Sequence, residues 1–167
     1  IDASDSETLE LSKVFGTKFV LDSPNRSKSF RKSATAIGKK VLLFEGGKSI
    51  DIDDTITKTG VNGVLNVMQH LGIRDFNQEL EERKNTKPTD SVVIESSKWI
   101  RARYSGMFRS SAQLGKLYQK GDKIGSISDP FGLFEKVVKA PNTGYIFCIN
   151  QAPIVNKGDA IIHISTK

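Results

Sequence analysis

Lys120-Gly121-Asp122-Lys123-Ile124-Gly125-Ser126-Ile127-Ser128 returns 37 residues later as Lys157-Gly158-Asp159-Ala160-Ile161-Ile162-His163-Ile164-Ser165, sharing the pattern K-G-D-x-I-x-x-I-S. Just upstream, Ala102-Arg103-Tyr104-Ser105-Gly106-Met107-Phe108 returns 38 residues later as Ala140-Pro141-Asn142-Thr143-Gly144-Tyr145-Ile146, so one deletion between the blocks reconciles the two shifts. Two blocks repeated in the same order indicate an internal duplication. Neither half can bury its apolar face alone, so the repeat predicts a small β barrel or sandwich whose halves pair about a pseudo-twofold axis. Each Lys-Gly-Asp reads as a tight turn into the next strand, and each Gly after Ser or Thr as a position needing φ > 0.

The pattern around the repeat is β throughout. Val92-Val93-Ile94, Trp99-Ile100-Arg101-Ala102, Met107-Phe108, Ile124-Gly125-Ser126-Ile127, Val137-Val138, Tyr145-Ile146-Phe147 and Ile161-Ile162-His163-Ile164 are short strands separated by Gly, Pro and Lys-Gly-Asp turns. Charge also divides the chain near residue 90. Fourteen Lys/Arg face fourteen Asp/Glu before residue 91 and eleven face five after it, so the second segment holds the whole net charge of +6. Neither basic residues interleaved with aromatics nor a nucleic-acid motif accompanies that excess, so it reads as a solvated surface, with no nucleic acid as partner.

Residues 1–90 alternate helix and strand. Asp5 to Phe15 is a short helix closed by Gly16; Lys18-Phe19-Val20-Leu21 is a strand; Ser29 to Ile37 is a helix with Phe30, Ala34 and Ile37 on one face and Gly38 as its stop. Lys40-Val41-Leu42-Leu43-Phe44, cut off by Glu45-Gly46-Gly47, is a short continuous apolar run of the kind that forms a buried, parallel strand. A longer helix follows from Asp51-Ile52-Asp53-Asp54 to about Leu71, with Ile56, Val61, Val64, Leu65 and Met68 as its stripe; Gly60 and Gly63 weaken it. Residues 73–90, polar and containing Pro88, read as a linker. Two strands are too few for a stable sheet, so their partners must come from elsewhere. The division is therefore a partial α/β segment with linker over 1–90 and a β domain over 91–167.

With 37% apolar and 26% charged residues the chain is too apolar for a disordered one, and no apolar run approaches the ~18 residues of a membrane span, so no membrane partner is expected. Cys148 is the single cysteine, which suits a reducing, cytoplasmic setting, and it reads as a small core residue. The chain opens on Ile1-Asp2-Ala3-Ser4 without Met or signal peptide, which predicts a start inside a longer protein.

Lys120-Gly121-Asp122, Ala140-Pro141-Asn142-Thr143-Gly144 and Lys157-Gly158-Asp159 resemble the barrel-sandwich hybrid of biotinyl and lipoyl domains. Those domains present a Lys for modification between the halves, flanked by Met in the biotinyl case. Asp129-Pro130-Phe131-Gly132-Leu133-Phe134-Glu135-Lys136 has no such motif, so Lys136 and Lys139 read as solvated charges.

Over nearly its whole length the chain is similar to the C-terminal part of the succinylglutamate desuccinylase/aspartoacylase family of zinc-dependent deacylases. The resemblance lies in Trp99-Ile100-Arg101-Ala102, Ser105-Gly106-Met107-Phe108, Leu114-Gly115, Ile127-Ser128-Asp129-Pro130-Phe131-Gly132 and Ala152-Pro153-Ile154-Val155-Asn156-Lys157-Gly158-Asp159. Ser29-Phe30-Arg31, Leu43-Phe44-Glu45-Gly46-Gly47 and Gly60-Val61-Asn62-Gly63-Val64-Leu65 carry it in the first segment. It implies the second part of a zinc-carboxypeptidase-like α/β domain followed by the barrel-sandwich domain, and a cytoplasmic hydrolase acting on a small acidic N-acyl substrate.

Glu45 then matches the family's general acid/base. A carboxylate ending a buried strand of an α/β sheet points into the ligand crevice, and desolvation there raises its pKa toward the working pH. Arg31 matches the position of a substrate-carboxylate clamp, a role for which a fixed guanidinium is suited. The zinc that the family implies finds no ligands here: no His-x-x-Glu occurs, so they lie upstream, and His70 and His163 fit no ligand motif. Ala152-Pro153-Ile154-Val155 also lacks the Tyr by which aspartoacylase contacts substrate. The chain alone is expected to be inactive, homo-oligomerisation stays open, and the competing reading is a non-catalytic binding or assembly module.

Overall fold

A computed structural model describes residues 1–48, 50–83 and 90–166. The chain divides into two compact units, residues 1–93 and 94–167.

Unit 1 contains α1 (Ser6–Phe15), β1 (Phe19–Leu21), α2 (Phe30–Ala36), α3 (Asp54–His70) and α4 (Asn77–Glu82), and ends within β2 (Val92–Ile94), which pairs with β1. Local chemistry accounts for the helix ends. The Asp5 carboxylate accepts the Glu7 N–H, Ser29 Oγ accepts that of Lys32, and Asp53 Oδ1 accepts those of Thr55 and Ile56 at 3.1 Å each. Gly16 closes α1 at φ 90°. The glycines inside α3 have a packing reason: a Cβ on Gly63 would lie 2.3 Å from the Phe15 ring, and one on Gly60 3.0 Å from the Phe44 ring.

Three expectations change in unit 1. Residues 40–44 form no strand, and no backbone–backbone hydrogen bond joins residues 41–46 to another described residue; β1 pairs with β2. The α2 face is exposed, Phe30 at 82% and Ile37 at 73%. The segment 73–90 is no simple linker: α4 lies within it, buries Leu80, and follows the buried Phe76, whose N–H donates to Gln69 Oε1 at 2.8 Å. Residues 84–89 of that segment lie outside the described ones.

Unit 2 holds β3 (Ser97–Arg101), β4 (Gly106–Ser110), β5 (Leu117–Tyr118), β6 (Lys123–Ser128), β7 (Glu135–Lys139), β8 (Gly144–Ile149), β9 (Ile154–Val155) and β10 (Ala160–Ser165). They form two open four-stranded sheets, β3-β10-β8-β5 and β7-β6-β4-β9. The duplication is written in that order. Replacing each strand by its repeat counterpart (β3 by β7, β4 by β8, β5 by β9, β6 by β10) turns one sheet into the other, so each sheet takes two strands from each half.

The registers repeat as well. Phe108 opposes Ile127 as Ile146 opposes Ile164; Gly106 opposes Val155 as Gly144 opposes Tyr118; Lys123 opposes Lys139 as Ala160 opposes Arg101. At the turns, Gly121 N–H donates to Ala140 O and Gly158 N–H to Ala102 O, each at 2.8 Å. Asp122 and Asp159 accept the N–H of Gln119 and Asn156, also at 2.8 Å each. Gly121 and Gly158 have φ of 95° and 100°, as the turns require. Gly106 has the expected positive φ, 154°, whereas Gly144 does not, and a second reason applies to both. A Cβ would lie 2.4 Å from Ser128 O and 2.1 Å from Ser165 O, so close backbone approach excludes a side chain at both. Ile124, Ile127, Ile146, Ile161, Ile162 and Ile164, each at most 1% exposed, form the centre of the core shared by the two sheets.

Candidate functional site

Arg31 lies in the first turn of α2, which the Ser29 cap starts, and its guanidinium donates to Ser23 O at 3.2 Å and to Ser23 Oγ at 3.4 Å. Glu45 follows Phe44, whose ring packs on Phe15 at 5.2 Å between centroids. Gly46, on the other side, lies against Ile56, where a Cβ would come within 2.9 Å of Cγ2. Glu45 is thus carried between two neighbours seated on the helices, although its own side chain is exposed. The desolvation expected of a strand-end carboxylate has no counterpart in this exposure.

The Ile1 amino group donates to Leu21 O at 3.0 Å, and its pKa falls below the ordinary value through burial first and the Arg31 cation second. Asp22, Asp2 and Glu45 act on it in the opposite sense. Nearby, Lys40 Nζ sits 2.7 Å from Asp5 and 3.2 Å from Glu7, and its hydrogen bond is the main reason the Asp5 carboxyl is held below its usual range. Asp2, Asp5, Thr8, Asn25, Thr35, Lys39 and Val41 line a small polar cleft in the same unit. Sequence reading did not single out this cleft, since its residues are scattered over forty positions without a motif.

The two histidines belong to different units. His70 is an exposed α3 residue with Nε2 3.6 Å from Glu10. His163 stacks on Trp99 at 4.4 Å and meets Phe147 at 4.5 Å. Among the described residues no three His, Cys, Asp or Glu come together as a metal site. Pro153 serves through its backbone, accepting the Phe108 N–H at 2.8 Å, and Ile154 is 72% exposed. Cys148 is half-buried, and burial pushes its thiol up. No described helix is long and apolar enough to cross a membrane.

Burial lowers the His163 pKa below its ordinary 6.5, so unfolded chain takes up a proton at a higher pH than folded chain does. Stability of unit 2 is therefore expected to fall as pH drops through about 6.5. Urea midpoints read from Trp99 fluorescence should decline from neutral to mildly acidic pH in the natural chain, and decline less in His163→Phe, which keeps the ring contacts and removes the proton. Equal declines would refute the assignment.

No protein-family model matches the chain, and no curated protein sequence does. Solved structures do. A succinylglutamate desuccinylase/aspartoacylase from Rhodobacter sphaeroides superposes with TM-score 0.77 at 17% identity, over 97% of this chain and 49% of that one. The ectoine utilization protein EutE (DoeB) from Ruegeria pomeroyi, in its apo form, gives 0.80 at 15% identity, over 99% and 52%. An aspartoacylase family protein from Mesorhizobium loti gives 0.68 at 19%, over 95% and 53%. The chain spans about half the length of the structures it matches.

Proposed function

We infer that this chain, which has the fold of succinylglutamate desuccinylase/aspartoacylase proteins, forms part of a deacylase that hydrolyses the amide bond of an N-acyl amino acid or similar small acidic substrate. The observation that carries the reading is the superposition of nearly the whole chain, 97% and 99% of it, on structures of such proteins. In this reading the Arg31 fork binds the substrate carboxylate and orients the scissile amide. Glu45 takes a proton from the attacking water and returns it to the leaving amine. Reading unit 2 as a barrel-sandwich hybrid belongs to the same inference and is supported by the exchanged strand order of its open sheets. A cytoplasmic location is part of it too, resting on the single Cys148.

Zinc does not fit the residues present. The described donors do not converge, and His70 and His163 each have other neighbours. Zinc is accordingly proposed for the whole enzyme on family resemblance alone, with ligands supplied from outside these residues, and the 167-residue chain by itself is expected to give no turnover.

The test is Arg31→Gln in the intact protein, assayed for amine release from N-acyl amino acids. Loss of a charged hydrogen-bonded pair is worth about 1.5–3 kcal/mol, so KM should rise roughly 10- to 150-fold with a smaller change in kcat. An unchanged KM removes Arg31 from the site.

A further inference from the structure

The duplication lets one half of unit 2 be compared with the other, and what both copies keep is what the fold requires. Core positions stay apolar: Ile124 and Ile161, Ile127 and Ile164, Ile100 and Val138 occupy equivalent places. The edge strands β3 and β7 are equivalent too, and among the described strands β3 has β10 as its one neighbour and β7 has β6. Both carry cations at matching positions, Lys98 and Arg101 in β3, Lys136 and Lys139 in β7. Cations on an edge deter pairing with a like-charged strand, so this much is a protection common to both copies.

The copies part on the face turned away from the core. Ile100 packs against the core, so strand alternation puts Ser97, Trp99 and Arg101 on the opposite face. There the Trp99 ring stacks on His163 at 4.4 Å, nearly parallel at 13°, and His163 meets Phe147 at 4.5 Å. The equivalent row in the other sheet is Val137, Ser126 and Arg109, with no ring among them. The fold does not require the rings, since its other copy stands without them. Their spacing is close to the ~4.8 Å between neighbouring strands, so the stack runs across the sheet. Trp99, 40% exposed, is its end plate at the sheet edge. A further strand beside β3 would set one of its own side chains over that plate.

Charge separates the copies as well. Between Glu95 and Asp122 lie six Lys/Arg and no Asp or Glu, whereas β7 begins with Glu135 at the position of Ser97. Lys98 flanks the β3 edge from the core side and Arg101, which donates to Gly158 O at 2.8 Å, from the outer side. Cations on both faces of an edge fit an extended peptide, whose side chains alternate between faces, better than a polynucleotide, which lays bases and phosphates along one groove. They disfavour a second copy, because pairing two β3 edges would bring Lys98 and Arg101 of both to one seam.

We propose that the β3 edge is a docking site for an acidic, extended peptide of a partner protein. The peptide adds a fifth strand to the sheet β3-β10-β8-β5, places an aromatic or branched apolar side chain over Trp99, and sets carboxylates beside Lys98 and Arg101. Main-chain pairing supplies affinity, and the Trp99 plate with its flanking cations supplies selectivity. The inference uses no residue of the proposed hydrolytic site and stands or falls separately from it.

Fluorescence anisotropy of a fluorescein-labelled Ser-Glu-Phe-Val-Glu-Ser peptide, titrated with the 167-residue chain at low salt, tests it. Saturable binding is expected, weakened at least ~5-fold in Trp99→Val, which installs the residue of the equivalent strand, and about 5- to 10-fold in Lys98→Glu. Lys136→Glu, the same change on the β7 edge, should leave binding within twofold. Methylating one alternate set of the peptide's backbone nitrogens should abolish binding and methylating the other should not, because a single edge of the peptide pairs with β3. These peptide variants leave the protein untouched, so the outcome does not hinge on whether a substituted chain folds. Absence of saturation, equal binding of the peptide with Lys in place of Glu, an equal loss from Lys136→Glu, or indifference to methylation overturns the proposal. So does oligothymidylate that displaces the peptide at lower concentration than unlabelled peptide does, which makes the surface a nucleic-acid platform. A dimer mass of the chain alone that Trp99→Val abolishes also overturns it, because the occupant is then a second copy.

Discussion

Replacing Glu45 by Gln in the intact protein is expected to lower kcat by about 10²- to 10⁴-fold, the range that a positioned general acid/base contributes. Gln keeps the size and one acceptor oxygen but neither takes a proton from water nor returns one to a leaving amine. KM should change little, since binding of the substrate carboxylate falls to Arg31, and the circular dichroism spectrum should match the natural protein because the Glu45 side chain is exposed. A kcat within twofold of the natural value, with the fold intact, would remove the catalytic role and leave the binding or assembly module as the better description. Glu45→Gln thus reports on kcat and Arg31→Gln on KM, and the two are independent tests of one site.

Gly144→Ala is expected to destabilise unit 2 by about 3 kcal/mol or more, at or beyond the upper end of ordinary overpacking costs. The added Cβ would lie 2.1 Å from Ser165 O, and the obstructing atom is backbone in a core strand with no soft side chain to move aside. Gly121→Ala is the comparison. Its φ of 95° strains an L-residue, but nothing lies within 4 Å of the new Cβ, so its cost should stay near ~1–2 kcal/mol. Urea unfolding followed through Trp99, the single Trp and a member of β3, measures both. If Gly144→Ala costs less than Gly121→Ala, steric exclusion at the repeat is wrong. Gly106→Ala, facing Ser128 O at 2.4 Å, should behave like Gly144→Ala because the duplication places the two alike.

Much of unit 2 was legible because the signals there are short in range. A K-G-D turn dictates its own conformation, and two copies of it reveal a duplicated architecture without any knowledge of what touches what. β5 and β9 were not legible: with two residues each they are too short to show alternation, and they exist because β8 and β4 offer them an edge. At Gly106 the expected positive φ is present and at Gly144 it is not, and the steric exclusion at both was not legible for a related reason. A glycine's φ is a local property, whereas the approach of a carbonyl from a strand twenty residues away is not. In unit 1 the capped helices α1, α2 and α3 follow from Asp5, Ser29 and Asp53. The strand expected over 40–44 does not form, since an apolar run specifies burial while strand pairing needs a neighbour. The α4 segment was obscured by its charges, which line an exposed face around buried Leu80.

For the candidate site, the residue types at positions 31 and 45 and their resemblance to a deacylase were available from the chain itself. Their settings were not, because the contact of Arg31 with Ser23 and the seating of Phe44, next to Glu45, on Phe15 arise only through the folding of unit 1. The sequence by itself determined the turns, the helix caps and the duplication, all governed by interactions within a few residues or by repetition of them. Tertiary structure decided which half supplies which strand to each sheet, which glycines are sterically required, and that the apolar run before Glu45 pairs with no described strand. Those outcomes depend on contacts between residues distant in sequence, whose free energy no local pattern encodes.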